Sequence, residues 1–180
     1  MRNRLMTQVR AHQKLGTAAM FEDIDTALKQ WIDSLIKELE NRITKAIASD
    51  DRLSEMATVL RSIPGIGPVA STMLIAEMSE IGTITGEEAA EITGLAPVAH
   101  DSGTLRGKRA IAGGRRALRH VMFQVALVAA HHNPSLMPFA DRLRKAGKPH
   151  KVIITAVARK LVTIANALCK SRQKWAAQTS

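Results

Sequence analysis

The chemistry of this chain concentrates in one stretch, Asp101-Ser102-Gly103-Thr104-Leu105-Arg106-Gly107-Lys108-Arg109, which sets a serine hydroxyl beside a glycine and places three cationic side chains within seven positions. Phosphate binding calls for that combination. Glycine lets the backbone approach phosphate oxygens, arginine grips them in pairs, and a helix opening just after Gly113-Gly114 turns unpaired backbone N–H groups toward an anion. The candidate phosphate contacts are therefore Gly103, Arg106, Lys108, Arg109, Gly113, Gly114, Arg115 and Arg116. A serine in such a loop could attack a phosphodiester where cations stabilise the charge growing on the non-bridging oxygens, and it could equally be a turn residue after Asp101. His100 and Asp101 are the neighbours that could assist Ser102, and neither spacing guarantees contact.

A second irregular segment, Ile63-Pro64-Gly65-Ile66-Gly67-Pro68, interrupts two helical patterns within residues 53–78. Two glycines separated by one apolar residue make a tight turn, and the segment resembles the helix-hairpin-helix module, which holds DNA through its phosphates. Gly65 and Gly67 become candidate contacts on that ground. The same residues would serve a plain helix–helix turn, or would grip protein, because no Lys or Arg follows them before Arg106.

Charge is distributed unevenly along the 180 residues. Residues 1–100 carry 10 Lys/Arg and 14 Asp/Glu, whereas residues 101–180 carry 16 Lys/Arg and two Asp/Glu. A polyanion is the partner such a half favours, with a solvated basic surface as the plain alternative. A membrane surface fits less well, since these arginines sit among glycines rather than along an apolar helix face.

The elements that must position these residues read as helices. Ile24, Leu28, Ile32, Leu35, Leu39, Ile43 and Ile47 recur at intervals of three or four and predict one long amphipathic helix over Phe21 to Ala48. A shorter pattern through Leu5, Val9 and His12 precedes it, so the first 50 residues read as a helical hairpin, or as a coiled coil with a second chain. Their stripe could also cover the domain's own core. Asp50 and Asp51 supply capping carboxylates for a helix to about Arg61, and Thr85-Gly86-Glu87-Glu88 reads as a capping box ended by Gly94. A helix from Arg115 to His131 follows, then one capped by Asn133-Pro134, and a last one opened by Pro149. No alternating strand pattern is present. The fold class expected is all-α, with a hairpin or coiled-coil segment over 1–50 and a compact helical domain over 51–180 that contains the hairpin motif 53–78 and a basic Gly-rich loop 95–116.

Composition narrows the classes further. Hydrophobic residues make up 46% of the chain and aromatics 3%, with no Tyr, which suits a folded helical protein rather than a disordered or sheet-rich one. The single cysteine, Cys169, excludes an internal disulfide framework and a cysteine zinc cluster. His131 and His132 are adjacent and lack ligand spacing, so no metal or other cofactor is expected in this chain. No segment reads as a membrane span or a signal peptide, and a reducing bacterial cytoplasm, with nucleoid association, is the expected location.

The run from Leu60 to Trp175 resembles the C-terminal domain of the insertion-sequence 110 (116/902) family of bacterial transposases, and the long helix before it resembles that family's coiled-coil segment. The resemblance rests on Arg61-Ser62-Ile63-Pro64-Gly65-Ile66-Gly67-Pro68, Gly94-Leu95-Ala96-Pro97, Asp101 through Arg109, and Ile111-Ala112-Gly113-Gly114-Arg115. His132-Asn133-Pro134, Ala146-Gly147-Lys148-Pro149 and Arg159-Lys160-Leu161 follow in the same order. It implies a DNA recombinase whose serine, aligned with Ser102, attacks a DNA phosphate and forms a covalent phosphoserine. It further implies an N-terminal RNase-H-like domain whose four acidic residues bind Mg²⁺ and, in some members, a guide RNA. This sequence begins at the coiled coil, so the expectation is a fragment, inactive alone, that binds DNA and self-associates through its N-terminal helices. Two other classes remain open: a non-catalytic nucleic-acid-binding module, and a helical oligomerisation domain.

Overall fold

The computed structural model describes residues 2–98 and 110–176 and divides into two compact units, 1–49 and 50–180.

The first unit is a pair of helices, α1 (Arg2–Lys14) and α2 (Ala18–Ala48), joined by Leu15-Gly16-Thr17. One ion pair and one hydrogen bond mark their direction: Arg2 Nε lies 2.9 Å from Asp33 Oδ1, and His12 Nδ1 lies 2.9 Å from Asp25 Oδ2. As the partner on α1 advances, its partner on α2 recedes, so the helices run antiparallel. The His12 ring also stacks on Phe21 at 4.5 Å. Burial is sparse. Of the stripe on α2 only Ile32 and Ile47 are buried, whereas Ile24, Leu28, Leu35, Leu39 and Ile43 are exposed, with Trp31 beside them.

The second unit begins with α3 (Asp51–Ser62), whose first turn is capped by the Asp50 carboxylate accepting from the Leu53 N–H at 2.9 Å. Then come α4 (Pro68–Glu77) and α5 (Gly86–Ile92), the latter opened by the reciprocal Thr85–Glu88 capping box that the sequence predicts. β1 (Pro97–Val98) and β2 (Ala110–Ile111) pair antiparallel, Pro97 opposite Ile111 and Val98 opposite Ala110. Two-residue strands leave no alternation to detect, which is why the sequence shows none. The unit ends in α6 (Arg116–His132), α7 (Met137–Lys145) and α8 (His150–Ser171). Among the described residues the fold is all-α apart from this ribbon.

The central helix is α8, which packs on α3, α5, α6 and α7, while α4 packs on α3 and α6. Its Ile153, Ile154, Val157, Leu161 and Val162 are buried, each such side chain contributing about 1.5–3 kcal/mol relative to exposure. With a mean hydropathy of 1.7 this helix is long and apolar enough to cross a bilayer; here Ile153, Ile154, Val157, Leu161 and Val162 are taken up by the core, while Val152 is half exposed. Two buried asparagines tie loops to the packing. Asn166 on α8 accepts from the Gly82 N–H and donates to the Ile84 carbonyl, both at 2.8 Å, and so fixes the α4–α5 link. Asn133 donates to the Pro64 carbonyl at 3.0 Å and accepts from the N–H groups of Ser135 and Leu136. The Asn133 cap thus closes a turn before the helix, which starts at Met137 and not directly after Pro134.

One close approach registers the ribbon. The turn after α5 and the turn before α6 meet at Gly94 and Gly114, both with φ of +65°. A Cβ on Gly114 would drive into the backbone of Gly94 and come within 2.8 Å of the Glu91 carbonyl oxygen, and one on Gly94 would collide with the Gly113 carbonyl. The Arg115 N–H donates to the Ile92 carbonyl at 2.7 Å across the same seam. Gly113 shares the left-handed conformation, φ +67°, but faces open space. Urea unfolding should therefore separate two neighbours: Gly113→Ala costs about 1 kcal/mol of backbone strain, and Gly114→Ala at least twice that because the seam must open as well. Equal losses would show that no close contact exists.

Candidate nucleic-acid interface

Of the residues with phosphate chemistry in the sequence, Ser102, Gly103, Arg106, Lys108 and Arg109, together with His100 and Asp101, lie outside the described residues. The described structure fixes both ends of the segment that carries them. Residues 99–109 leave from β1 and return through β2, whose pairing holds Val98 opposite Ala110.

Gly113, Gly114, Arg115 and Arg116 lie together just beyond β2. Gly113 and Gly114 are exposed in the turn that docks on the end of α5, and Arg116 opens α6 with an exposed side chain. Arg115 is engaged elsewhere. Its guanidinium bridges both carboxylate oxygens of Glu80, at 2.6 and 2.9 Å, and donates to the Glu77 carbonyl. This fork is a strong, planar contact. Arg119, one turn further, donates to the Gly113 carbonyl at 2.8 Å and so braces the same turn.

Gly65 and Gly67 lie apart from this cluster, in the turn between α3 and α4. Gly65 has φ +105°, and a Cβ there would stand 3.0 Å from the Ala129 Cβ on α6. The approach to α6 thus explains one of the two glycines as packing. Gly67 is the N-cap of α4, and nothing lies within 4 Å of its Cβ position. The structure places no cationic side chain of α4 beside this turn, since α4 carries none. Arg61 at the end of α3 donates to the buried Ser71 hydroxyl at 3.1 Å.

A groove of about 1030 Å³ is bounded by α6, α7, α8 and the ribbon. Arg116, Arg119 and His120 of α6 face Lys151, Arg159 and Lys160 of α8 across it. Leu95, Pro97, Ile111, Phe123, Phe139 and Val152 supply apolar surface between them. Among the described residues no Asp or Glu lines it. Sequence reasoning missed the α8 cations, although a signal was present: Lys151, Thr155, Arg159 and Thr163 recur every fourth residue and share one helix face. Lys160 Nζ stands 4.8 Å from the Phe139 ring centroid, and Arg142 Cζ 5.4 Å from it.

Among the described residues no group of three or more His, Cys, Asp or Glu side chains is placed to hold a metal ion. Burial pushes the Cys169 thiol up to about 11, so it stays protonated and unreactive near neutral pH.

The Arg115 fork lowers the Glu80 carboxyl from 4.5 to about 2, chiefly by hydrogen bonding to the ionised form. A carboxyl whose pKa falls on folding adds stability that is fully present above its unfolded value and disappears as pH drops through the folded one. Urea titrations at a series of pH values should show wild type more stable than Glu80→Gln near pH 7, with the gap shrinking progressively between about pH 4.5 and pH 2. A gap that stays constant over that window would mean the fork does not form in solution.

Comparison with known proteins adds the family. Residues 57–141 match the family described as "Transposase IS116/IS110/IS902 family". The chain is 31% identical over 153 residues to the pilin gene-inverting protein of Moraxella bovis, covering 83% of this chain and 47% of that protein. It is also 31% identical over 118 residues to the insertion element IS110 43.6 kDa protein of Streptomyces coelicolor, covering 64% of this chain and 29% of that protein. A further relative, the insertion element IS116 44.8 kDa protein of Streptomyces clavuligerus, is 28% identical over 145 residues, 79% of this chain and 35% of that protein. The chain thus spans about half, or less, of the length of these relatives. Residues 57–141, running from α3 into α7, thus carry the domain of the IS116/IS110/IS902 family of transposases, and the similarity to relatives named for such elements extends beyond them.

Proposed function

We propose that this chain is the serine-bearing, DNA-contacting part of a recombinase that cleaves and transfers DNA strands to mobilise an insertion sequence. One observation supports it most: the segment containing Ser102 and three cationic residues is rooted in a ribbon that borders a groove lined by five Lys or Arg side chains and, among the described residues, by no carboxylate. Relatives named for insertion elements, and for inverting a pilin gene, perform or accompany DNA rearrangement by name. Rearranging DNA requires phosphodiester cleavage followed by rejoining.

In the proposed reaction the Ser102 oxygen forms a bond to phosphorus while the bond from phosphorus to one sugar oxygen breaks. The serine proton passes to a base, the departing sugar oxygen takes up a proton, and the phosphoserine retains the ester linkage for rejoining. Arg106 and Lys108 stabilise the added charge on the non-bridging oxygens, with Arg109 and Arg116 gripping flanking phosphates. A serine hydroxyl needs a base or a metal beside it, and the family resemblance assigns Mg²⁺ to acidic residues outside this sequence. The described residues supply no such cluster, so this chain's part is to bind, orient and attack. A guide RNA and a cytoplasmic location belong to the same proposal.

The N-terminal hairpin is the proposed self-association element. Its exposed Ile24, Leu28, Trp31 and Leu35 follow intervals of four, three and four, the spacing of a coiled-coil seam.

Three measurements check these readings. Combined with the acidic half of a complete relative, its DNA and any required RNA, the chain should yield a covalent protein–DNA adduct that Ser102→Ala abolishes while DNA binding survives. Binding itself should weaken steeply with salt, with a log–log slope of roughly −5 if about six phosphates are neutralised on duplex DNA. An adduct that persists without Ser102 moves the chemistry elsewhere, and a flat salt response removes the phosphate contact. Sedimentation should show an oligomer that becomes a monomer when both Leu28 and Leu35 are changed to Glu; an intact chain that is monomeric at high concentration contradicts the coiled-coil reading.

A further inference from the structure

The groove between α6 and α8 is built for more than phosphates. A duplex presents its backbone to a protein and keeps its bases stacked inside, so a site for duplex phosphates needs cations and little else. Here the cations stand on two facing rims, and the surface between them is apolar: Phe123 on the α6 side, Val152 and Ala156 on the α8 side, Pro97 and Ile111 from the ribbon. Val152 and Ile111 are 50% and 39% exposed. Water over this surface is costly, and a paired strand has nothing to put on it.

We infer that the groove holds an unpaired stretch of a DNA strand, its bases lying on the apolar floor and its phosphates held by the Arg116 and Arg119 rim on one side and by the Lys151 and Arg159 rim on the other. Proteins that grip single strands combine a basic track with aromatic side chains on which bases stack, and here Phe123 lies among the aliphatic residues of the floor. The volume, about 1030 Å³, is at the upper end of the roughly 300–1,000 Å³ that encloses one drug-sized ligand, so there is room for more than one nucleotide. Charge chooses the occupant: five Lys or Arg side chains and, among the described residues, no Asp or Glu at the lining favour a polyanion. Position agrees. Pro97 and Ile111 are paired residues of the ribbon from which the Ser102 segment departs and to which it returns, so strand held here lies beside the anchored ends of that segment. The inference rests on the DNA reading above and specifies the form of DNA taken at this place, a locally melted strand rather than intact duplex.

The test uses the 180-residue chain and fluorescence anisotropy with three labelled probes: a 12-nucleotide oligothymidylate, an abasic oligomer with the same number of phosphates, and a blunt duplex. The wild-type chain should bind oligothymidylate on the order of tenfold more tightly than the abasic oligomer, since only the former has bases to seat on the apolar floor. Val152→Glu and, separately, Ala156→Leu should collapse that ratio toward one, with helical circular dichroism reporting that each variant is folded. Because the base-against-abasic ratio is read in the wild-type chain, it decides the matter whether or not a variant folds. Equal affinity for the two oligomers overturns the inference while duplex binding leaves the DNA reading standing. Salt-insensitive or absent binding to all three probes overturns both. An acidic amphipathic peptide that binds the wild-type chain and is lost with Val152→Glu, with no base preference in the oligomers, assigns the groove to a protein partner and also overturns the inference.

Discussion

Gly94 and Gly114 meet backbone against backbone, and the geometry around the Ser102 segment depends on that contact. Neither position tolerates a Cβ, and both need the left-handed conformation that glycine adopts without penalty. Because the end of α5 and the start of α6 can touch there, the Arg115 N–H reaches the Ile92 carbonyl, Pro97 falls opposite Ile111, and the chain between enters and leaves at one place. The constraint passes outward through side chains. Arg119 braces the Gly113 carbonyl, and Arg115 ties the start of α6 to Glu80 in the α4–α5 link, which Asn166 fixes in turn to α8. Both ends of the segment between β1 and β2 are thus held by this seam.

The cations around the seam divide their work. Arg115 is spent on Glu80, so its charge is largely neutralised and its contribution is structural. Arg119 braces the turn through one nitrogen while still lining the groove. Arg116, Lys151 and Arg159 are exposed and line the groove. Long-range attraction of a polyanion needs only net charge, which the basic second half of the chain supplies. Placement of a strand needs the second set, on two rims separated by an apolar floor.

Much of the fold was legible. The capping residues Asp50 and Thr85, the breaks at Gly94 and Gly147, and the three-and-four spacing of α8 are local signals, and each element appears within a few residues of its predicted place. The ribbon was not legible, since two residues cannot show a period, and Asn133 closes a turn earlier than its helix because a cap signal does not say which turn it caps. At the candidate site the sequence singled out Arg115 from its place in the basic cluster, but its pairing with Glu80 spans 35 positions and no local pattern announces it. The α8 cations belong to the opposite case: their helical spacing was visible, but their relevance depended on α6 lying across from them.

The central claim is that DNA is received on the face where the ribbon, α6 and α8 meet. Amide hydrogen exchange with and without DNA tests it directly. Addition of DNA should slow exchange in residues 95–98, 110–120 and 150–160, with little change around 63–70 or along α2; protection concentrated at the 63–70 turn, or absent from the ribbon and the groove-lining helices, would contradict it.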